Sequence, residues 1–186
     1  MNIFRVNFPE LYDRHLCRHS QFGINVIHIT VVMGIYLCLY AIVQRLFGFE
    51  WPLLGIAVLH LAILVMNVPL KVLVGSAAFL VVVIALVISL PAWPAWVYAL
   101  AIYPLYKIQA WSHKVYVREW DMTEFNKKYR KGIILFVLLS VYEVPMLLNY
   151  LVFDHKKWLA RHSLGRGERL VVRPSTAPPE RSTQYP

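Results

Sequence analysis

Charged residues are scarce in this chain. Only 16% of its 186 residues are Asp, Glu, Lys or Arg, whereas 59% are hydrophobic; soluble domains carry about 25% charged residues. A soluble fold cannot cover so much apolar surface, which excludes a water-soluble globular domain. The length fits one domain with room for four or five stretches of about 20 residues, each long enough to cross a hydrocarbon layer of roughly 30 Å.

Cysteine is also nearly absent. Cys17 and Cys38 lie in a polar segment and inside an apolar run, a spacing that fits neither a disulfide framework nor a zinc finger. We interpret both as free thiols. The first residues lack a short apolar core before a small-residue cleavage site, so we expect no secretory signal peptide and a first span that stays in the membrane.

Five apolar stretches organise what is present. They cover about 24–46, 52–70, 72–90, 93–111 and 133–153, and short links with Gly or Pro separate the first four. This pattern predicts an all-α membrane protein with a four-helix transmembrane bundle plus a fifth apolar helix. Tryptophans at the predicted helix ends suit the aromatic belt of a membrane interface: Trp51, Trp93, Trp96 and Trp111.

The fifth apolar stretch contains Glu143 and Pro145. Because such residues are tolerated at membrane depth only where protein or water covers them, we expect a broken, re-entrant or steeply tilted helix; a true fifth crossing is the alternative. From about residue 164 the chain becomes basic and rich in Pro. We therefore predict an integral membrane domain over 1–163 and a disordered tail over 164–186.

Basic residues cluster before the first span, in the second link and after the fourth span: Arg5, Arg14, Arg18, Lys71, Lys107, Lys114, Arg118, Lys127, Lys128, Arg130 and Lys131. The positive-inside rule places these segments, and the N-terminus, on the cytoplasmic face of a bacterial inner membrane or of the endoplasmic reticulum. We interpret them as topology signals and expect no nucleic acid partner. The bilayer is the expected partner, and the sequence carries no signal of oligomeric state.

Several histidines lie where an ionisable side chain is costly. His28 and His60 fall inside apolar spans, and such residues usually face the bundle interior with a partner. His15 and His19 are four residues apart, so a helix over this segment puts both imidazoles on one face, a spacing that can bind a transition metal.

His28 and His19 converge only if the chain bends between them, and Gly23 is the predicted place. The fourth span returns to the face where the first began, which brings His113 to the same level. The alternative is that these imidazoles only hydrogen-bond at the interface. His60 has no nearby partner in the sequence, and we interpret it as an interhelical hydrogen-bonding residue.

Glu143 is the most costly residue for its position. An intramembrane carboxylate can ligate a metal, orient a ligand histidine or pair with a juxtamembrane cation. Gln109, Asn25 and Tyr116 lie within about a turn of the histidines and can complete the surroundings of such a site.

Two stretches resemble the signatures of the 2-hydroxy-fatty-acid dioxygenase family of small membrane proteins. These are HSQFGINVIH, from His19 to His28, and QAWSHKVY, from Gln109 to Tyr116. An apolar hairpin between the two and a late helix with a Glu, here Glu143, also fit the family's plan. The chain departs from the pattern between the first two histidines and at Val117, where the family has a Glu.

The resemblance implies removal of one carbon from a 2-hydroxy fatty acid, dependent on Fe(II) and O₂. It implies metal ligands at His19, His28 and His113 and catalytic roles for Glu143, Gln109 and Tyr116. His15 stands where the family has a Tyr, and only its spacing to His19 makes it a further candidate ligand. The acid would chelate the metal, and basic side chains would hold its carboxylate: Arg14, Arg18 and Lys114. Other readings are a b-type haem protein with His28 and His60 as axial ligands, and a non-enzymatic lipid-binding or scaffold protein.

Overall fold

A computed structural model describes residues 6–19, 21–116 and 132–154. Within these ranges the chain is helical and contains no strand, which confirms the predicted all-α class. The predictions for Arg5, for the basic residues between 117 and 131 and for the tail at 164–186 lie outside the described residues, as does the domain boundary at residue 163.

The helices follow one another with short links. α1 covers Phe8–Arg18, α2 Phe22–Phe47, α3 Trp51–Val65, α4 Leu70–Ser89, α5 Ala95–Tyr116 and α6 Ile133–Leu148, and a π-helical segment, Asn149–Asp154, continues α6. The links agree with the predicted turns: Gly48 ends α2 with φ +74°, a left-handed conformation that glycine adopts without strain. Pro69 precedes α4, and Pro94 precedes α5.

Three of these helical segments are long and apolar enough to cross a membrane: Phe22–Phe47, Leu70–Ser89 and Leu135–Asp154. Their length and apolar composition indicate an integral membrane protein. The second predicted span is shorter than expected, since α3 has 15 residues, or about 22 Å at 1.5 Å per residue. α5 has 22 residues but is not among the three, and it carries the polar residues Lys107, Gln109 and His113.

α2 is the central helix. It packs most extensively against α5 and also contacts α3, α4 and α6. The shared core contains Ala41 of α2, Leu53 of α3, Val83 of α4 and Leu147 of α6, all fully buried. The four tryptophans of the predicted belt are exposed, with Trp51 75% accessible. Trp51, Trp93 and Trp96 lie at or beside helix starts, whereas Trp111 lies inside α5, which continues to Tyr116.

α1 is an amphipathic helix with one buried face. Asn7 caps its start by accepting from the Glu10 amide at 3.3 Å. Phe8, Leu11 and Tyr12 are buried at helical spacing. The Tyr12 hydroxyl donates to Asp154 at 3.2 Å, so the end of the π segment lies at the same end of the molecule as α1.

The α6 helix is continuous through Glu143 and Pro145, so the predicted break there is wrong. Proline has no N–H, and Pro145 therefore leaves the carbonyl of Val141 without its usual donor four residues on. His60 of α3 supplies the donor, because its Nε2 lies 3.2 Å from that oxygen, which can only accept. The hydrogen-bond register changes to π only at Asn149.

Candidate metal centre

The short non-helical link between α1 and α2 positions the first candidate ligand. His19 follows α1, and Gln21 is extended with φ −99° and ψ 143°. His19 and Gln21 both lie outside the two helices, which confirms a bend between α1 and α2, whereas Gly23, the predicted place, is already helical. Gly23 serves a close approach instead, since a Cβ there would lie 2.9 Å from the ring of Tyr116.

Asn25 of α2 ties the link between the helices to α1. Its Nδ2 donates to the carbonyl of His19 at 2.6 Å and to that of Gln21 at 2.8 Å, while its Oδ1 lies 3.0 Å from Nε2 of His15. The side chain is fully buried. Since both amide hydrogens are used on carbonyls, Oδ1 must face His15 and accept its Nε2–H.

Three imidazoles from separate parts of the chain meet beside the link between α1 and α2. The ring of His19 lies 4.5 Å from that of His28 and 4.9 Å from that of His113, and the last two rings are 4.8 Å apart. One ligand nitrogen from each lies within 4.8 Å of the others. The predicted convergence of His113 with the start of α2 is therefore confirmed.

The hydrogen bonds of His19 fix where its proton lies. Nδ1 is 3.2 Å from the carbonyl of His15, which can only accept, so Nδ1 carries the hydrogen. Nε2 is buried and has no hydrogen-bond partner. A neutral His19 consequently keeps an unshared lone pair on Nε2, which is the form that binds a metal.

His28 has a similar arrangement with a charged partner. Its Nδ1 lies 3.3 Å from Oε1 of Glu143, and Gln109 donates to the same oxygen at 2.6 Å. A carboxylate that accepts Nδ1–H leaves the lone pair on Nε2. Nε2 lies 3.1 Å from the hydroxyl of Ser112, and that hydroxyl lies 2.7 Å from the Gln109 carbonyl. The single hydroxyl hydrogen can therefore go to Nε2 or to the carbonyl, and a metal on Nε2 would replace the Ser112 contact and leave the bond to the carbonyl.

His15 supports the group from outside. Its ring stacks on that of His19 at 4.1 Å and 4°, which confirms that both imidazoles share one face. Its Nε2 is engaged with Asn25, so the structure does not place His15 among the three histidines that could hold a metal. Burial lowers the pKa of His15 to about 4 and brings the pKa of His19 well below its usual range, so both are neutral at pH 7.

The other predicted site residues are spread around the group. Glu143 and Gln109 contact His28, as described above. Tyr116 accepts a hydrogen bond from Gln21 at 2.9 Å through its carbonyl and packs against Gly23.

The predicted substrate-binding cations lie nearer the surface. Arg18 and Lys114 are exposed, and Arg14 is half-buried. Ser112, which is fully buried, was not predicted as a site residue. Its position three residues after Gln109, on the same face of α5, is the sequence signal that could have identified it.

The three histidines suit a metal with open coordination positions. Imidazole is a ligand for iron, copper, nickel and zinc, and catalytic sites commonly combine three protein ligands with a free position for water or substrate. A carboxylate beside the Nδ1 of His28 and a backbone carbonyl beside the Nδ1 of His19 are the kind of partners that metal-binding histidines usually have.

No family model, curated protein or solved structure matches this chain. Its function must therefore be argued from its own residues.

Proposed function

We propose that this protein is a metal-dependent membrane oxygenase that removes one carbon from 2-hydroxy fatty acids. His19, His28 and His113 would hold one Fe(II) ion. The observation that carries the proposal is the meeting of three imidazoles, two of which have their Nδ1–H groups occupied by an oxygen acceptor.

A metal explains this arrangement better than packing alone. A buried polar atom without a partner costs about 1–3 kcal/mol, and Nε2 of His19 is such an atom. Histidines that merely satisfied one another would pair a donor nitrogen with an acceptor nitrogen. Here the donor of His19 points to a carbonyl instead, which leaves the lone pair available.

Glu143 acts through His28 in this proposal. Its Oε1 accepts from His28 and from Gln109, so the carboxylate fixes the imidazole's orientation and raises its basicity as a ligand. Gln109 in turn holds the carboxylate in place. The sequence left Glu143 with three possible roles, as a metal ligand, as a residue that orients a ligand histidine, or as the partner of a cation. The contact with Nδ1 of His28 favours the second role.

The substrate assignment rests on the resemblance and on charge. Arg14 and Arg18 are four residues apart on α1, and Arg18 is close enough to His113 to act on it electrostatically. Together with Lys114 they provide positive charge for a fatty-acid carboxylate beside the histidines. Bound Fe(II) would supply O₂ activation, while the acyl chain would lie among the apolar helices.

Purified protein tests the proposal directly. Protein reconstituted with Fe(II) without oxygen should contain about one iron per chain, and on admission of O₂ it should convert a long-chain 2-hydroxy fatty acid to a product one carbon shorter, detected by mass spectrometry. The non-hydroxylated acid is the matched control substrate. Absence of stoichiometric metal would overturn the site, and bound iron without turnover would overturn the reaction alone.

We further propose a cytoplasmic location for the histidine end of a four-helix bundle on which α6 packs as a fifth element. Gln21 and Tyr116 place the start of α2 and the end of α5 at one end, where positive charge concentrates. Cysteines introduced at positions 5 and 127 should be labelled from the same side of intact vesicles. Labelling from opposite sides would exclude this topology.

A further inference from the structure

A row of four aromatic rings runs along one face of α1 and ends at the candidate metal centre. The rings lie at intervals of four, three and four residues: Phe8, Tyr12, His15 and His19. Consecutive ring centroids are 6.3, 6.4 and 4.1 Å apart, and the ring planes differ by only 13°, 13° and 4°. Since packed interiors transmit displacements, a shift of Tyr12 would reach His19 along this row.

The last turn of α1 fixes His19 at two points. The backbone amide of His19 donates to the carbonyl of His15 at 2.8 Å, and Nδ1 of the His19 ring donates to the same oxygen at 3.2 Å. Nε2, the atom that would bind a metal, is buried without a hydrogen-bond partner. The position of this nitrogen consequently depends on where α1 lies.

The middle of α1 is tied to the π-helical segment. The Tyr12 hydroxyl donates to Oδ2 of Asp154 at 3.2 Å, and the side chain of Asn149 interacts with the same hydroxyl. Asn149 and Asp154 are the first and last residues of the segment. Residues five apart point in different directions on an α-helix, whereas the wider π turn brings them closer to one face. The change to π register therefore gives Tyr12 both partners.

We infer that Tyr12 and Asp154 are positioning residues for His19, because their hydrogen bond holds α1 where the His19 ring meets those of His28 and His113. Asn25 holds the other end of α1 through His15, so the helix is fixed on both sides of the ring row. The functional meaning of this bond rests on the proposed metal centre. The positioning itself is a property of the metal-free protein.

Chemical modification of histidines in the metal-free protein tests the positioning. Diethyl pyrocarbonate reacts with accessible neutral imidazole, so the buried Nε2 of His19 should be protected. Tyr12→Phe keeps the ring and removes only the hydroxyl. It should raise the modification rate of His19 about tenfold, the factor expected for loss of one hydrogen bond to a charged group, and should leave His60 of α3 unchanged. Mass spectrometry of peptides reports both histidines in one sample.

The internal comparison with His60 separates positioning from general stability. An equal rise at His19 and His60 would indicate a loss of overall stability and would overturn the inference, as would an unchanged rate at His19. Tyr98→Phe is the matched control, because it removes a hydrogen bond from a buried tyrosine hydroxyl to the Pro91 carbonyl at the opposite end of the molecule. It should leave His19 protected.

Variants of the acceptor show whether the two residues act through one bond. Asp154→Ala should also expose His19, and combining it with Tyr12→Phe should add nothing further. Asp154→Asn should restore protection, since its amide oxygen can still accept from the Tyr12 hydroxyl. Additive effects of the two single variants would contradict the inferred bond.

Metal affinity distinguishes this inference from the proposed function. In protein that binds one metal per chain, Tyr12→Phe should weaken the affinity about tenfold, as expected when a group that orients a ligand is removed, and Tyr98→Phe should not. Unaltered affinity in Tyr12→Phe would overturn the positioning role. An unmodified protein that binds no metal would overturn the proposed function, while the modification rate of His19 would still decide the positioning.

Discussion

His28 and His60 are the same residue type in apolar helices, but their surroundings assign them different tasks. His28 lies where α2, α5 and the end of α1 meet, with two further imidazoles within 5 Å between ring centres. His60 lies where α3 meets α6 and donates to a single backbone carbonyl. The chemistry of an intramembrane histidine is therefore decided by what occupies its nitrogens, rather than by its depth.

The comparison also shows two ways of satisfying a buried imidazole. At His60 the ring repairs a gap that Pro145 creates in α6, so its hydrogen-bonding capacity is spent on structure. At His28 the carboxylate of Glu143 engages Nδ1, and the opposite nitrogen contacts only a serine hydroxyl, which a metal would replace.

The largest effect is expected from the three proposed ligands. Replacing His19, His28 or His113 with Ala should reduce bound metal from about one per chain to near zero, because two remaining imidazoles cannot hold the ion well. Metal analysis of detergent-purified protein measures this, and His60→Ala is the matched control that should keep its metal. Full metal retention in His28→Ala would remove the distinction between the two histidines.

Glu143→Gln should weaken metal binding about 10–100-fold without abolishing it, since an outer carboxylate orients a ligand but does not supply one. Competition with a chelator of known affinity gives the ratio. Glu50→Gln is a control at the opposite end of the molecule. Complete loss of metal would instead make Glu143 a ligand, and an unchanged affinity would show that its contact with His28 is not used.

Asn25→Ala should destabilise the protein by about 1–3 kcal/mol, because it leaves buried partners of three hydrogen bonds unsatisfied. Since the same bonds position His19, metal affinity should fall as well. Ser76→Ala, which removes a buried hydrogen bond within α4, should leave metal binding intact. Denaturant unfolding and metal titration on the same samples separate the two effects, and an Asn25 variant with unaltered metal affinity would contradict the positioning role.

His60→Ala should lower stability by roughly 0.6 kcal/mol, the average for an interhelical hydrogen bond in a membrane protein, and should spare the metal. A second substitution sharpens the test: Pro145→Ala restores an N–H that can reach the Val141 carbonyl, so His60→Ala should cost less in that background. Equal costs in both backgrounds would show that His60 does not compensate for the proline.

Much of the fold follows from local patterns. The apolar runs, the Pro and Gly links and the helical spacing of His15 and His19 predict the helices to within a few residues. They misplace the end of α3, which stops at Val65, because an apolar stretch does not reveal where the backbone turns. They also misread Pro145 as a break, because a distant histidine supplies the donor for the carbonyl that the proline leaves open.

The candidate site is predictable only in outline. The sequence places His19, His28 and His113 at one end because an even number of short-linked helices returns the chain to that end. It cannot show that Ser112 contacts His28 or that Asn25 bonds to the link between α1 and α2. These contacts join residues whose separation in sequence follows no helical repeat.

The sequence by itself determined the helical class, the suitability for a membrane and the residue types that can ligate a metal, because apolar content and spacing act locally along the chain. Tertiary structure decided which nitrogen of each histidine is occupied. It pairs His15 with Asn25, outside the group of three histidines. It also pairs His28 with Glu143, and His60 with the Val141 carbonyl. The physical reason is that a hydrogen bond depends on distances of about 3 Å between particular atoms, and only the packing of α1, α2, α3, α5 and α6 fixes these.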